Sequence, residues 1–265
     1  MALTSGHESD ESQQVGRMGG GRDFEGRVAV VIGGASGMGL ATAQLFAARG
    51  AKVSISDVDA ERGERAAADL LRGGSRAIFT PADIRVLADL ERLAERTVAE
   101  FGRIDAVFLS AGRVEADLGP MLELYLHGPA NCVTALVPHL ARSDAASITF
   151  TGSTSGLRAH PGAPWYAAAK AGLLGMTRTL AVDLARQGIR VNAVCPSGVD
   201  TPMLRATMRG TEEEIESRLA EQATRKPLGR WVTASDVANA AVFLASSQAS
   251  MITGVSLPID GGESL

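Results

Sequence analysis

Cysteine is scarce in this 265-residue chain. The two present, Cys132 and Cys195, form no CxxC pattern, which argues against a disulfide scaffold or a thiolate zinc site and fits a reducing compartment. The four histidines, His7, His127, His139 and His160, show no metal-ligand spacing, so no metal is expected. Basic blocks are missing too. The net charge is −4 and the pI about 5.6, which speaks against a nucleic-acid partner. No apolar run reaches the roughly eighteen residues of a membrane span, and no signal-peptide pattern is seen. A cytoplasmic protein without a membrane partner is expected. Apolar side chains are also few in residues 1–22, where Ser, Gly and charge dominate, and a flexible tail is expected there.

With 45% hydrophobic and 21% charged residues, the chain has enough apolar material for one sizeable core. We expect residues 23–265 to form a single domain. Val28–Ile32 is a continuous apolar run, the mark of a strand buried on both faces of a parallel sheet. Gly33, Gly34, Gly37 and Gly39 follow, then a helical pattern to Arg49 and a second strand, Lys52–Ser56, ending at Asp57. In such a βαβ unit, glycines let the backbone approach a pyrophosphate and the helix N-terminus offers it free N–H groups. An acid at the end of the second strand binds the ribose hydroxyls and repels a 2′-phosphate. No Arg or Lys stands in the loop or directly after Asp57, where Ser36 and Val58 sit, so NAD is favoured over NADP.

The alternation continues. Helices are expected over about 60–71, 84–101, 121–140, 166–187 and 234–245, and strands over 76–79, 104–109, 147–151, 190–194 and 255–259. Seven strands in this pattern predict an α/β, Rossmann-like, doubly wound parallel sheet with helices on both faces. Residues 203–226 read as an amphipathic insertion, either a lid or a surface hairpin.

One stretch stands apart, TGSTSGLRAHPGAPWYAAAKAGLLG at 151–175. Tyr166 and Lys170, four apart, share one face of a helix. Ser153 precedes Tyr166 by thirteen residues, at the C-terminal end of a strand, where open α/β sheets bind ligands. A lysine ammonium about 4 Å away favours the phenolate by up to roughly 4 kcal/mol, which brings the tyrosine near working pH for proton transfer. Tyr–Lys pairs also arise by chance in many helices; the rest of the chain raises this one above coincidence.

On these residues the chain resembles the short-chain dehydrogenase/reductase family over about 24–262. The matching segments are GGASGMG (33–39), Asp57, Asp83, SAG (110–112), Ser153, YAAAK (166–170), VNAVCPSGVDTPM (191–203) and PLGRWVTASDVANAAVFLAS with ITGVSLPIDGG (227–262). The Tyr–Lys spacing is similar to the ketone and alcohol members rather than the enoyl reductases. The resemblance implies Tyr166 as general acid/base, Lys170 as the group that lowers its pKa and binds the nicotinamide ribose, and Ser153 as the holder of the substrate oxygen. It implies Gly33, Ser36, Gly37, Met38 and Gly39 along the pyrophosphate and Asp57 on the adenosine ribose. Asp83 and Ile84 would flank the adenine, Ala111 and Gly112 the middle of the cofactor, and Pro196, Val199 and Thr201 the nicotinamide end. It also implies a homotetramer, or a homodimer, through the last strand and helix.

Three positions depart from the family pattern. Ile32 and Ser110 replace a threonine and an asparagine that help tie the first and fourth strands together. Tyr125 falls where a catalytic asparagine is common, after a segment about ten residues shorter than usual, so one wall of the site should be reshaped. The sequence leaves open whether Tyr125 enters the site. The expected substrate is a secondary alcohol or ketone. Leu157, Trp165, Met203, Leu204 and Met208 suggest that it is cyclic or apolar, unless they are packing residues. Arg158 and His160 either meet a polar substituent or belong to a solvated loop. An NADP-dependent reductase and a non-catalytic NAD-binding subunit are the alternatives.

Overall fold

The structure, a computed structural model, describes residues 21–113, 115–201, 204–205, 208–224 and 226–265. The expected tail at 1–22 falls almost wholly outside them, as does Met203. Seven strands form one sheet in the order β3-β2-β1-β4-β5-β6-β7, and every pairing is parallel. They are β1 Val28–Ile32, β2 Lys52–Asp57, β3 Ala77–Pro81, β4 Ala106–Leu109, β5 Ser147–Thr151, β6 Arg190–Pro196 and β7 Ser256–Ile259. The helices are α1 Gly37–Ala48, α2 Ala60–Arg72, α3 Leu87–Phe101, α4 Leu118–Leu122, α5 Gly128–Leu140, α6 Pro164–Asp183, α7 Glu212–Thr224 and α8 Ala234–Ala245.

β1 and β4, at the middle of the sheet, are apolar along their whole length because both faces are covered, while β2, β5 and β6 also bury Ser54, Ser56, Ser147, Thr149 and Asn192. One core layer packs α1, α2 and α8 against the sheet through Phe46, Leu70 and Val242, and the other packs α3, α5 and α6 through Leu93, Leu136 and Leu173. The order turns around at β1, which pairs β2 on one side and β4 on the other. Crossovers therefore leave in opposite directions at the C-terminal ends of β1 and β4, and a crevice opens there. The two replaced positions sit at that point. Ser110 N donates to Ile32 O at 2.8 Å, so the backbone carries the tie between the strands.

Helix limits differ from expectation where local chemistry overrides periodicity. Gly119 and Pro120 lie inside α4, since proline is tolerated in a first helical turn. Between α4 and α5, residues Glu123–His127 wind as a π-helix. The helix expected to reach residue 187 ends at Asp183 and tightens into a 3-10 turn, Ala185–Gln187, before Gly188 at φ 73°.

The N-terminal edge of the sheet is fastened by one buried carboxylate. Asp105 accepts from Val28 N at 2.8 Å, from Arg103 Nε at 2.9 Å and from the Ser143 hydroxyl at 2.5 Å, with Arg27 Nη1 at 3.5 Å. Replacing it leaves a buried N–H and two guanidinium groups without their acceptor. Asp105→Ala is expected to lower stability by about 3 kcal/mol in urea unfolding monitored by circular dichroism.

Candidate active site

Two adjoining cavities lie at the C-terminal ends of the strands. The larger, about 580 Å³, runs from Asp57, Asp83 and Ile84 past Gly33, Ser36, Gly37 and Met38 to Ala111, Gly112 and Thr201. The loop between β1 and α1 needs its glycines. Gly33 has φ 77°, and a Cβ there would lie 2.4 Å from Ala111 N. Gly39 does not line the cavity. It is the close-packing glycine behind the loop, where a Cβ would meet Gly33 O at 1.9 Å. Ser36 is extended and its side chain makes no cap, so the first N–H groups of α1 are left for a ligand. This cradle, which side chains would fill, suits the diphosphate of a dinucleotide.

Asp57 closes β2. Its Oδ2 accepts from Ala35 N at 3.1 Å and its Oδ1 from Asp59 N at 3.2 Å, which aims the carboxylate at the loop and leaves lone pairs for ribose hydroxyls. Arg62, on the first turn of α2, also lines this cavity and is paired with Asp59 at 3.0 Å. The sequence reading missed it, because four residues separate it from Asp57 and only the helical turn brings it back. Asp83 is held by Arg85, whose hydrogen bonds depress its carboxyl below the usual range. Ile84 is fixed through its carbonyl, which accepts from Asn131 Nδ2 at 3.1 Å.

The smaller cavity, about 220 Å³, shares Met38, Ser110, Ala111, Gly112 and Thr201 with the larger. It brings together Ser153, Tyr166, Lys170, Pro196 and Val199, together with Tyr125 and Leu204. Ser153 follows β5 and caps the short turn Thr154–Gly156, accepting from Ser155 N at 3.1 Å. Pro164 opens α6, and Tyr166 and Lys170 project from its first two turns. Val199 is buried and bridged to Val232. Lys170 Nζ donates to Thr151 O at 2.7 Å.

The electrostatics differ from the expectation that Lys170 pulls Tyr166 toward neutrality. Burial raises the Tyr166 phenol above its ordinary value, with the Ser153 hydroxyl working the other way. Burial also lowers the Lys170 amine to about 7. The reason is desolvation. The pair is screened from water, and the lysine's own charge becomes costly before it can stabilise a phenolate.

Of the apolar residues expected near the substrate and described in the structure, Leu204 lines the smaller cavity. Trp165 and Leu157 are exposed and line neither cavity, and Met208 is half-buried. Arg158 pairs with Glu263 at 3.0 Å, and His160 Nδ1 meets Ser155 Oγ at 3.0 Å. The segment after Thr201 is moored. Arg205 bonds Asp200, Glu212 and Glu216, α7 buries Ile215 and Leu219, and Trp231 Nε1 donates to Leu219 O at 2.7 Å.

Tyr125, left unplaced by the sequence, lies in the π-helix between α4 and α5 and is buried against Tyr166 and Lys170.

A family model described as enoyl-(acyl carrier protein) reductase matches residues 33–264. The chain is 38% identical over 252 residues to cis-4-hydroxycyclohexanecarboxylate dehydrogenase of Sinomonas cyclohexanicum, covering 91% of this chain and 98% of that one. It is 34% identical over 249 residues to 4-formylbenzenesulfonate dehydrogenase of Comamonas testosteroni, covering 90% and 98%. The crystal structure of levodione reductase superposes with a TM-score of 0.84 at 33% identity, covering 91% of this chain and 98% of that one. With this fold, this cradle and these relatives, the chain belongs to the short-chain dehydrogenase/reductase family of oxidoreductases, which use a nicotinamide cofactor.

Proposed function

We propose that the protein is an NAD-dependent dehydrogenase or ketoreductase acting on a secondary alcohol or ketone. The observation that carries this reading is the convergence of Ser153, Tyr166 and Lys170 on a small cavity continuous with the Asp57 cavity. The nicotinamide, when bound, gives or takes the hydride. The protein's groups do the rest. Ser153 holds the substrate oxygen, and Tyr166 delivers a proton to it in reduction or removes one in oxidation. Lys170, anchored on Thr151, would hold the cofactor's ribose, Pro196, Val199 and Thr201 its nicotinamide end, and Ala111 and Gly112 its middle.

A cyclic substrate is favoured. The smaller cavity, about 220 Å³, would also receive the nicotinamide, so it bounds the substrate from above, and a single six-membered ring is in keeping with that bound. The relative named for 4-hydroxycyclohexanecarboxylate acts on such a ring alcohol. No nucleic-acid or membrane partner is proposed: the net charge is −4, and among the described residues no helix is long and apolar enough to cross a membrane. The two cysteines are buried and free, which fits a cytoplasmic setting. We further infer a homotetramer or homodimer. β7 is the sheet edge, and Leu257, Ile259 and Phe243 remain part-exposed beside it. The single-domain reading of residues 23–265 is supported by the one continuous sheet.

Arg62 favours a second reading, in which NADP is the cofactor. Arg62 lines the larger cavity, though its guanidinium is already paired with Asp59.

Four outcomes are expected. First, NADH should form with a panel of ring alcohols, and NAD should bind more tightly than NADP in calorimetry; tighter NADP binding overturns the Asp57 argument. Second, Asp57→Ala should narrow that preference at least about tenfold, since it removes a like charge facing the 2′-phosphate. Third, Tyr166→Phe should cut turnover by at least about a hundredfold. In the wild type, oxidation should quicken steadily from pH 7 to pH 10, because a raised pKa leaves the base form scarce at neutrality. Fourth, the lowered Lys170 pKa has a stability consequence. Between about 7 and 10.5 the unfolded chain holds a proton that the folded chain lacks, so the fold gains stability as pH rises through that window. Below 7 the full desolvation cost remains. Lys170→Met should therefore raise the melting temperature most near pH 6, and the gain should shrink toward pH 10.

A further inference from the structure

We propose that Tyr125 is a positioning residue for this site, its ring face seating the Lys170 ammonium and its T-shaped contact setting the plane of Tyr166. The inference rests on the reading of Tyr166 and Lys170 given above.

The π-helix is the origin. An i→i+5 turn fits one extra residue into the helix and rotates the residues after it, and such turns recur at functional sites. Here the turn Glu123–His127 carries Tyr125 inward until it is buried. Lys170 Nζ stands 4.0 Å from the centroid of the Tyr125 ring, against 5.6 Å from that of Tyr166. The two tyrosine rings meet edge to face, 5.6 Å apart at 82°. That is the preferred arrangement of two aromatic quadrupoles, and it fixes one ring by the other.

The lysine needs this contact. An ammonium has three N–H donors, and one goes to Thr151 O. Among the described residues no carboxylate pairs with it. The titratable groups that face it are Tyr125 from the π-helix, Tyr166 from its own helix and Cys195 from β6. Burial raises the Cys195 thiol to about 11 and raises the Tyr125 phenol as well, so neither supplies a negative charge near neutrality. Of the two aromatic faces near the cation, that of Tyr125 is the closer by 1.6 Å and the stronger electrostatic support, and such support is strongest where water is excluded.

Tyr125 is itself held. Its hydroxyl donates to Arg113 O at 2.9 Å. Gly112 leaves it room, since a Cβ there would lie 2.7 Å from the Tyr125 hydroxyl oxygen. The segment after β4 thus leads to this tyrosine, which lines the smaller cavity.

The chain's own composition supplies the test. Its lysines are Lys52, Lys170 and Lys226, so protein labelled with ¹³C at lysine Cε gives three resonances, assigned by Lys→Arg exchange at residues 52 and 226. The Lys170 resonance is titrated in the wild type and in Tyr125→Phe, Tyr125→Leu and Tyr125→Met, without cofactor or substrate. Phe keeps the ring and should leave the Lys170 midpoint within about 0.3 pH units of the wild type. Leu and Met remove the ring and should lower it by about one pH unit, the worth of a desolvated cation–π contact. Using both apolar variants means that one folded protein suffices. Equal midpoints in all four proteins overturn the proposal. A fall in Phe as large as in Leu also overturns it, because the hydroxyl tether rather than the ring would then be responsible. The readout involves no turnover, so it stands or falls separately from the proposed reaction. Where oxidation is measurable, Leu should lower kcat about tenfold with little change in KM, and Phe should not.

Discussion

A positive charge sits at the centre of this molecule with little to offset it. Lys170 is buried behind β5, its nitrogen held by one strand carbonyl and by the face of an aromatic ring. Water would stabilise that ammonium better than either partner does. The amine is therefore poised between charged and neutral forms, and its neighbours matter more than they would around an exposed lysine. Tyr166, the Ser153 turn and the π-helix all take their places around this one nitrogen. A site built this way responds to small changes in surroundings, which suits a group that must assist a proton on its way in either direction.

The second constraint is steric. Where the sheet reverses its winding, β1 and β4 end side by side and the loops that leave them nearly touch, Gly33 against Ala111. The crevice exists because neither loop carries bulk at that point. The cradle for a dinucleotide and the cavity for a substrate are two halves of one groove, joined through Met38, Ser110 and Gly112.

Much of this could be read from the chain. The apolar run at Val28–Ile32, the spaced glycines and the acid at residue 57 located the groove, because backbone approach and strand burial leave marks in local composition. The four-residue step from Tyr166 to Lys170 located the chemistry, because helical period is regular. What stayed hidden depends on contacts distant in sequence or on irregular winding. No local pattern marks the π-helix, so the orientation of Tyr125 was undecided. Arg62 is an ordinary helical arginine until α2 packs beside the groove. The burial of Tyr166, which raises its phenol, was not legible because burial is a property of the packed molecule. The moorings of α7 run through Arg205 and Trp231, whose partners no spacing rule connects.

The Asp105 cluster and the Lys170 site lie at opposite ends of the central strands of the same sheet. Strands of four to seven residues hold them apart, which at about 3.3 Å per residue is on the order of 13–23 Å. Perturbations that far apart combine almost additively. The architecture is thereby modular in energy though continuous in space. Substitutions that firm up the N-terminal edge can accumulate without retuning the catalytic edge, and the catalytic edge can drift toward new substrates on a reserve of stability held at the other end.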